Sequence, residues 1–107
     1  MEFKSLMERG MAIRALYGKL EQQTLGSTWT NEEVALGFVG DVGDLVKLVM
    51  AQNGRRTIPE AQSKLAHELA DCLWSVIVLA HLHNIDLEQA FLDTMSELEE
   101  HITETAG

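Results

Sequence analysis

His67-Glu68-Leu69-Ala70-Asp71-Cys72-Leu73-Trp74-Ser75-Val76-Ile77-Val78-Leu79-Ala80 is a single segment with two characters. Its first half carries two acids three residues apart, Glu68 and Asp71. Its second half is apolar except for Ser75. A helix that is apolar nearly all round is buried on every side. In a chain of 107 residues, one side of such a helix is expected to meet another subunit. The alternative is the central helix of a monomer. The apolar run Cys72 to Ala80 is too short to span a bilayer.

The neighbouring segments follow the same helical rhythm. Upstream, Thr57 or Ile58 is expected to open this third helix, with Pro59 in its first turn and an end near His83. Asn84 can end it in a left-handed turn, and Asp86 can cap a fourth helix reaching about Thr103. Leu87, Phe91, Met95, Leu98 and Ile102 share one face of that helix. A second helix, Asn31 to Gln52, presents Val34, Phe38, Val42, Leu45, Val46 and Val49, and Asn53-Gly54 stops it. Thr30 or Asn31 is its natural N-cap. A first helix from about Phe3 to Gln23 presents Phe3, Leu6, Met7, Ile13, Leu16, Tyr17 and Leu20, and Gly26-Ser27-Thr28 closes it. Short connections between long helices make antiparallel neighbours. The expected fold is therefore all-α, an antiparallel four-helix bundle in one domain over residues 1–107, assembled as an oligomer. Aromatic residues at 6% and a single proline argue against a strand-rich alternative.

Seventeen Asp and Glu against eight Lys and Arg give a formal charge of −9. Such a surface repels DNA, RNA and anionic lipid, so neither nucleic acid nor membrane is expected as a partner. A phosphate-bearing small molecule remains open if a cation mediates its contact. The lone Cys72 forms no internal disulfide, and Met1 to Gly10 is charged and lacks a signal peptide's apolar core. Both agree with a cytoplasmic protein.

The second helix contains Gly40-Asp41-Val42-Gly43-Asp44-Leu45, so it too carries acids three residues apart. Residues at that spacing are neighbours on a helix. Asp41 falls on the buried side and Asp44 at the edge of the apolar arc. If the two helices pack antiparallel, Asp41, Asp44, Glu68 and Asp71 converge. Buried like charges are unfavourable without a cation, and hard oxygen ligands suit Mg²⁺ or Mn²⁺. The alternative is a set of solvated helix charges, which an acidic chain produces by chance. Gly37, Gly40 and Gly43 recur at steps of three; no strand precedes them and no Gly-Lys-Ser/Thr follows, which argues against a P-loop. They point to close packing or to room around a ligand.

Other polar residues carry less. His67 points away from Glu68, and no Glu-x-x-His pair of the di-iron kind is present. Cys72 reads as a packed thiol. Trp29, before the second helix, can stack on a base or act as a hydrophobic staple. Lys47, Arg55 and Arg56 are the nearest cations available to phosphate, or are simply solvated.

Together these residues resemble the MazG-like superfamily of all-α nucleotide pyrophosphohydrolases. That family shows Glu-x-x-Glu, a spacer, then Glu-x-x-Asp. Gly-Asp-Val-Gly-Asp-Leu (40–45) is similar to its Glu-Glu-Val-Gly-Glu-Leu, and Glu-Leu-Ala-Asp-Cys-Leu (68–73) to its Glu-Leu-Ala-Asp-Val-Leu. Asn-Ile-Asp-Leu-Glu-Gln-Ala-Phe (84–91) is similar to the Gly-Ile-Asp-Leu-Glu-x-Ala-Phe opening its last helix. The resemblance implies a homodimer or homotetramer that splits a nucleoside triphosphate into monophosphate and pyrophosphate, clearing surplus or non-standard nucleotides. It implies Asp41, Asp44, Glu68 and Asp71 as Mg²⁺ ligands and catalytic carboxylates. The first pair departs from the family in being Asp-Asp. Thr94 and Leu98 stand where the family's last helix often carries a phosphate-holding Lys and Asn. That loss keeps open a weakly active or non-catalytic nucleotide-binding module, and beyond it a plain helical interaction protein.

Overall fold

The computed structural model describes residues 2–106, which form four helices and, among the described residues, no strand. They are α1 (Phe3–Leu25), α2 (Asn31–Gln52), α3 (Ala61–Leu82) and α4 (Leu87–Ala106). Gly26 ends α1 in the left-handed region at φ 80°, and its N–H donates to Gln22 O at 3.2 Å. Thr30 starts α2 through a capping box: Glu33 N–H donates to Thr30 Oγ1 at 3.2 Å, and Thr30 N–H to Glu33 Oε1 at 3.0 Å. Asn84, at φ 56°, turns the chain after α3 as expected. Asp86 then caps α4 by accepting the Gln89 N–H at 3.1 Å.

One boundary differs from expectation. α3 does not open at Thr57 or Ile58 but at Ala61. Glu60 adopts φ 55°, ψ 37°, a left-handed conformation that no right-handed helix can run through. Pro59 and Glu60 therefore form a turn before the helix instead of its first turn.

α2 and α3 form an antiparallel hairpin. The Gln52 and Gln62 side chains meet at the connected end, and Val34 and Val78 line one cavity at the other. α1 lies more lightly across α3, where Trp74 Nε1 donates to Gly10 O at 2.9 Å and Tyr17 packs on Trp74 with ring centroids 5.5 Å apart. Val34 and Leu48 of α2 and Cys72, Ser75, Ile77, Val78 and Ala80 of α3 are buried. The outward side expected on α3 is thus mostly covered within the chain, with Leu69 and Leu73 left open. As a whole helix α3 is long and apolar enough to cross a membrane by length and composition, which the shorter Cys72–Ala80 run did not suggest. It packs between α1 and α2, and 22% of its apolar window is buried within the chain.

The larger difference concerns α4. A closed bundle would seat it against the other three helices, yet it makes few contacts with them and buries no residue. Phe91, Leu92, Met95, Leu98 and Ile102 remain 40–62% exposed. The Cα radius of gyration is 17.1 Å, whereas a compact chain of this length has about 13 Å. The expected first-helix face also lies open in part: Leu6, Leu16, Tyr17 and Leu20 are exposed, although Gly10 and Tyr17 both meet Trp74 of α3. A single chain supplies four helices but not the closed bundle.

Candidate metal centre and adjoining cavity

The α2–α3 hairpin brings Asp41, Asp44 and Glu68 together, with one carboxylate oxygen of each within 4.8 Å of the others. Asp41 and Glu68 are half-buried and Asp44 is exposed. Glu68 Oε2 is buried and accepts no hydrogen bond. An orphaned carboxylate oxygen facing two further carboxylates lacks a cation or donor, since burying it unpaired is costly. The oxygen-only donor set suits a hard divalent ion.

Asp71 borders the trio without joining its 4.8 Å grouping: it lines the same cavity as Asp41, and its charge acts on Asp41 ahead of that of Asp44. Its Oδ2 pairs with His67 Nε2 at 3.1 Å, one helical turn back, and the His67 side chain is 74% exposed. The structure thus assembles three of the four sequence-selected carboxylates and engages the fourth with a neighbour. His67 is exposed, as its outward position suggested.

Burial, followed by the charges of Asp71 and Asp44, raises the Asp41 pKa above its ordinary 3.8, and His67 offsets part of this. Burial, then Asp41, Asp71 and Asp44, likewise raises Glu68 above 4.5. Burial and the same carboxylates push the Cys72 thiol upward, which keeps it protonated and unsuited to nucleophilic attack. The carboxylate shifts carry a sign for stability. In chelator, the folded state holds protons that the unfolded chain has already released, so folding loses stability as pH rises from about 4 through the raised folded pKa values. The melting-temperature advantage of Asp41→Asn with Glu68→Gln over the unsubstituted protein is expected to widen between pH 4 and pH 7. A constant difference over that range would mean that the carboxylates do not repel one another.

A cavity of about 290 Å³ opens beside the carboxylates. Asp41 and Asp71 form the wall it shares with them, and Val34, Gly37, Ser75 and Val78 line its inner side. Three aromatic residues, Tyr17, Trp29 and Trp74, also line it. Gly37 has a local reason: a Cβ there would lie 3.0 Å from Trp29 Cζ3, so the glycine lets the indole rest on α2. Gly40 and Gly43 face open space, and nothing within the chain requires them. Gly37→Ala is expected to gain about 1 kcal/mol of helix propensity while displacing the indole by a few tenths of an ångström. The melting temperature should hold or rise while substrate KM increases; an unchanged KM would remove Trp29 from the binding surface.

Of the residues expected to bind substrate, only Trp29 lines this cavity. Lys47 lies a turn beyond Asp44 on α2, and Arg55 and Arg56 lie in the connection to α3. None of the three lines the cavity. Thr94 and Leu98 sit on α4, away from the site of their own chain.

Two polar cavity residues, Arg14 and Glu21, escaped the sequence reading. Their signal was a pair of charges seven residues apart on α1, flanking Tyr17 at helical steps. That face reads as an interrupted apolar stripe until α1 is laid on α3.

A family model describing a MazG nucleotide pyrophosphohydrolase domain matches residues 29–102, more than half of the chain. None of the curated proteins and none of the solved structures compared matches. The match begins at Trp29 and takes in α2, α3 and most of α4; α1 lies outside it.

Proposed function

The chain belongs to the MazG nucleotide pyrophosphohydrolase family, and from that premise we propose that it hydrolyses a nucleoside triphosphate to the monophosphate and pyrophosphate, using Mg²⁺ or Mn²⁺. The observation that carries this reading is the trio Asp41, Asp44 and Glu68, with its unpartnered Glu68 Oε2, against a cavity walled by aromatic rings.

Asp41, Asp44 and Glu68 would hold the ion. A divalent cation supplies positive charge to phosphate oxygens and acidity to water. The aromatic cavity takes the base, and because it shares a wall with the carboxylates, the phosphates of the same molecule fall beside them. Lys47, Arg55 and Arg56 then lie ahead of the phosphate chain. Asp71, outside the trio and steadied by His67, is the carboxylate placed to orient water and take its proton. Little more is required, because phosphoryl chemistry depends mainly on positioning and on charge stabilisation.

The working form is a homodimer or homotetramer in the cytoplasm. The exposed apolar face of α4 and the expanded single chain support an assembly, since a chain this open leaves its own hydrophobic surface in water. Pyrophosphate release from a panel of nucleoside triphosphates, with and without Mg²⁺, tests the reaction. Metal-dependent release of pyrophosphate and monophosphate is expected. Release of orthophosphate alone, or none from any triphosphate, would sink it. Thr94 and Leu98 favour a weaker enzyme or a nucleotide-binding module as the second reading; tight binding without turnover would select the module.

A further inference from the structure

The part of the cavity built by α1 lies outside the family match, and it is organised around Trp29. Both backbone polar groups of Trp29 are held by one ion pair. Arg14 Nη2 donates to Trp29 O at 2.6 Å, and Trp29 N–H donates to Glu21 Oε1 at 3.0 Å. Arg14 Nη1 lies 3.6 Å from the same Glu21 oxygen, and the two side chains are only 15% and 13% exposed. The backbone of Trp29 is clamped, and its ring rests against α2 at Gly37.

An aromatic wall accepts any base, because every base has a π-face. Discrimination therefore falls on polar atoms that remain unspent at the cavity's edge. Trp74 Nε1 donates to Gly10 O, and Arg14 donates one N–H to Trp29 O while its Nη1 pairs with Glu21 at 3.6 Å. Glu21 Oε1 takes both of its contacts, which leaves Glu21 Oε2 without a hydrogen-bond partner among the described residues. A carboxylate oxygen beside an arginine accepts and does not donate. It calls for an N–H on the ligand and repels a carbonyl.

We infer that Glu21 is a specificity-determining residue, selecting a nucleotide whose base carries an exocyclic amino group on its pairing edge. The inference rests on the reading of the cavity as the base site. Cytosine and adenine offer that amine, and guanine offers one at the opposite end of its edge. Uracil and hypoxanthine set a carbonyl in its place, and uracil's one ring N–H is flanked by carbonyls on both sides. A site built to hydrogen-bond a group rejects the analogue lacking it far more strongly than an apolar pocket does. Arg14 is a positioning residue, acting through Glu21 and Trp29.

The test compares kcat/KM of the full chain, with Mg²⁺, on two pairs: cytidine against uridine triphosphate, and adenosine against inosine triphosphate. The amino member of at least one pair should be favoured by about ten-fold or more. Glu21→Gln, whose amide can donate to a carbonyl, should collapse or reverse that ratio. A fall of equal size on both members would show that Glu21 only holds Trp29 in place, and would overturn the inference. Hydrolysis without preference in either pair would overturn it too, while leaving the hydrolase reading intact. If no triphosphate is hydrolysed, quenching of Trp29 and Trp74 fluorescence by the α,β-methylene analogues of the same four nucleotides decides. An amino preference that Glu21→Gln abolishes would uphold the inference and sink the hydrolase; equal binding or no binding would overturn the inference.

Discussion

Asp41→Asn combined with Glu68→Gln is expected to lower pyrophosphate release by at least about two to three orders of magnitude, the scale on which single preorganised electrostatic groups act in catalysis. The same variant is expected to melt higher than the unsubstituted protein in chelator. The two effects have one cause. Asp41, Asp44 and Glu68 hold their oxygens within 4.8 Å of one another, and burial leaves Glu68 Oε2 unpartnered. Without a cation this arrangement costs stability, and the substituted amides remove the repulsion. With a cation it is the binding site, so the unsubstituted protein alone should gain from added Mg²⁺. A ligand at 100 times its dissociation constant stabilises by about 2.7 kcal/mol. Differential scanning fluorimetry across a Mg²⁺ titration reads the stability, and a coupled pyrophosphate assay reads the activity. A double variant that still answers Mg²⁺ with an equal rise in Tm would put the metal elsewhere. A variant that loses the metal response yet keeps full activity would separate the trio from the reaction.

Phe91→Asp with Met95→Asp on α4 should have the second large effect, loss of the proposed assembly and with it most of the folded protein. The two residues are one turn apart on a face that also carries Leu98 and Ile102, and all four are 40–62% exposed in the single chain. Most helical stability in proteins comes from packing of an apolar face, and α4 packs little of its own within the chain. Covering a large apolar side chain contributes about 1.5–3 kcal/mol, and a charge placed there reverses the gain. Two such changes per chain are comparable with the whole stability of a small domain, about 5–15 kcal/mol. Sedimentation equilibrium of the unsubstituted chain should show a dimer or larger, and the variant should sediment as 11.9 kDa with reduced helical circular dichroism. A monomeric unsubstituted chain with a cooperative melt would remove the assembly from the account. An aspartate variant that stays oligomeric and equally stable would move the interface away from α4.

The helices were legible in the sequence because their signals are local. The capping box at Thr30 and Glu33, the left-handed Asn84 and the Asp86 cap each lie within a few residues of the backbone groups they satisfy. Glu60 shows where such signals fail: Pro59 suits a first helical turn, but the left-handed residue after it delays α3 until Ala61. The juxtaposition of Asp41 and Asp44 with Glu68 was legible for a related reason. A spacing of three residues fixes each pair on one helix face, and a short connection makes α2 and α3 antiparallel, so the two pairs meet at the same height. The contact of Asp71 with His67, one turn back on its own helix, was not legible, because it depends on the rotamers of two side chains.

By itself, then, the sequence determined four helices, the two acidic pairs and the family those pairs resemble, because helical periodicity and capping act over a few residues. The tertiary structure alone decided that Arg14 and Glu21 hold Trp29, that Gly37 seats its ring, and that α4 stays unpacked. Those outcomes depend on where α1 and α4 come to lie relative to α2 and α3. An apolar stripe records that a helix must be covered, but the covering surface is set by shape and contact across the chain, as between Gly10 and Trp74, and no local pattern specifies it.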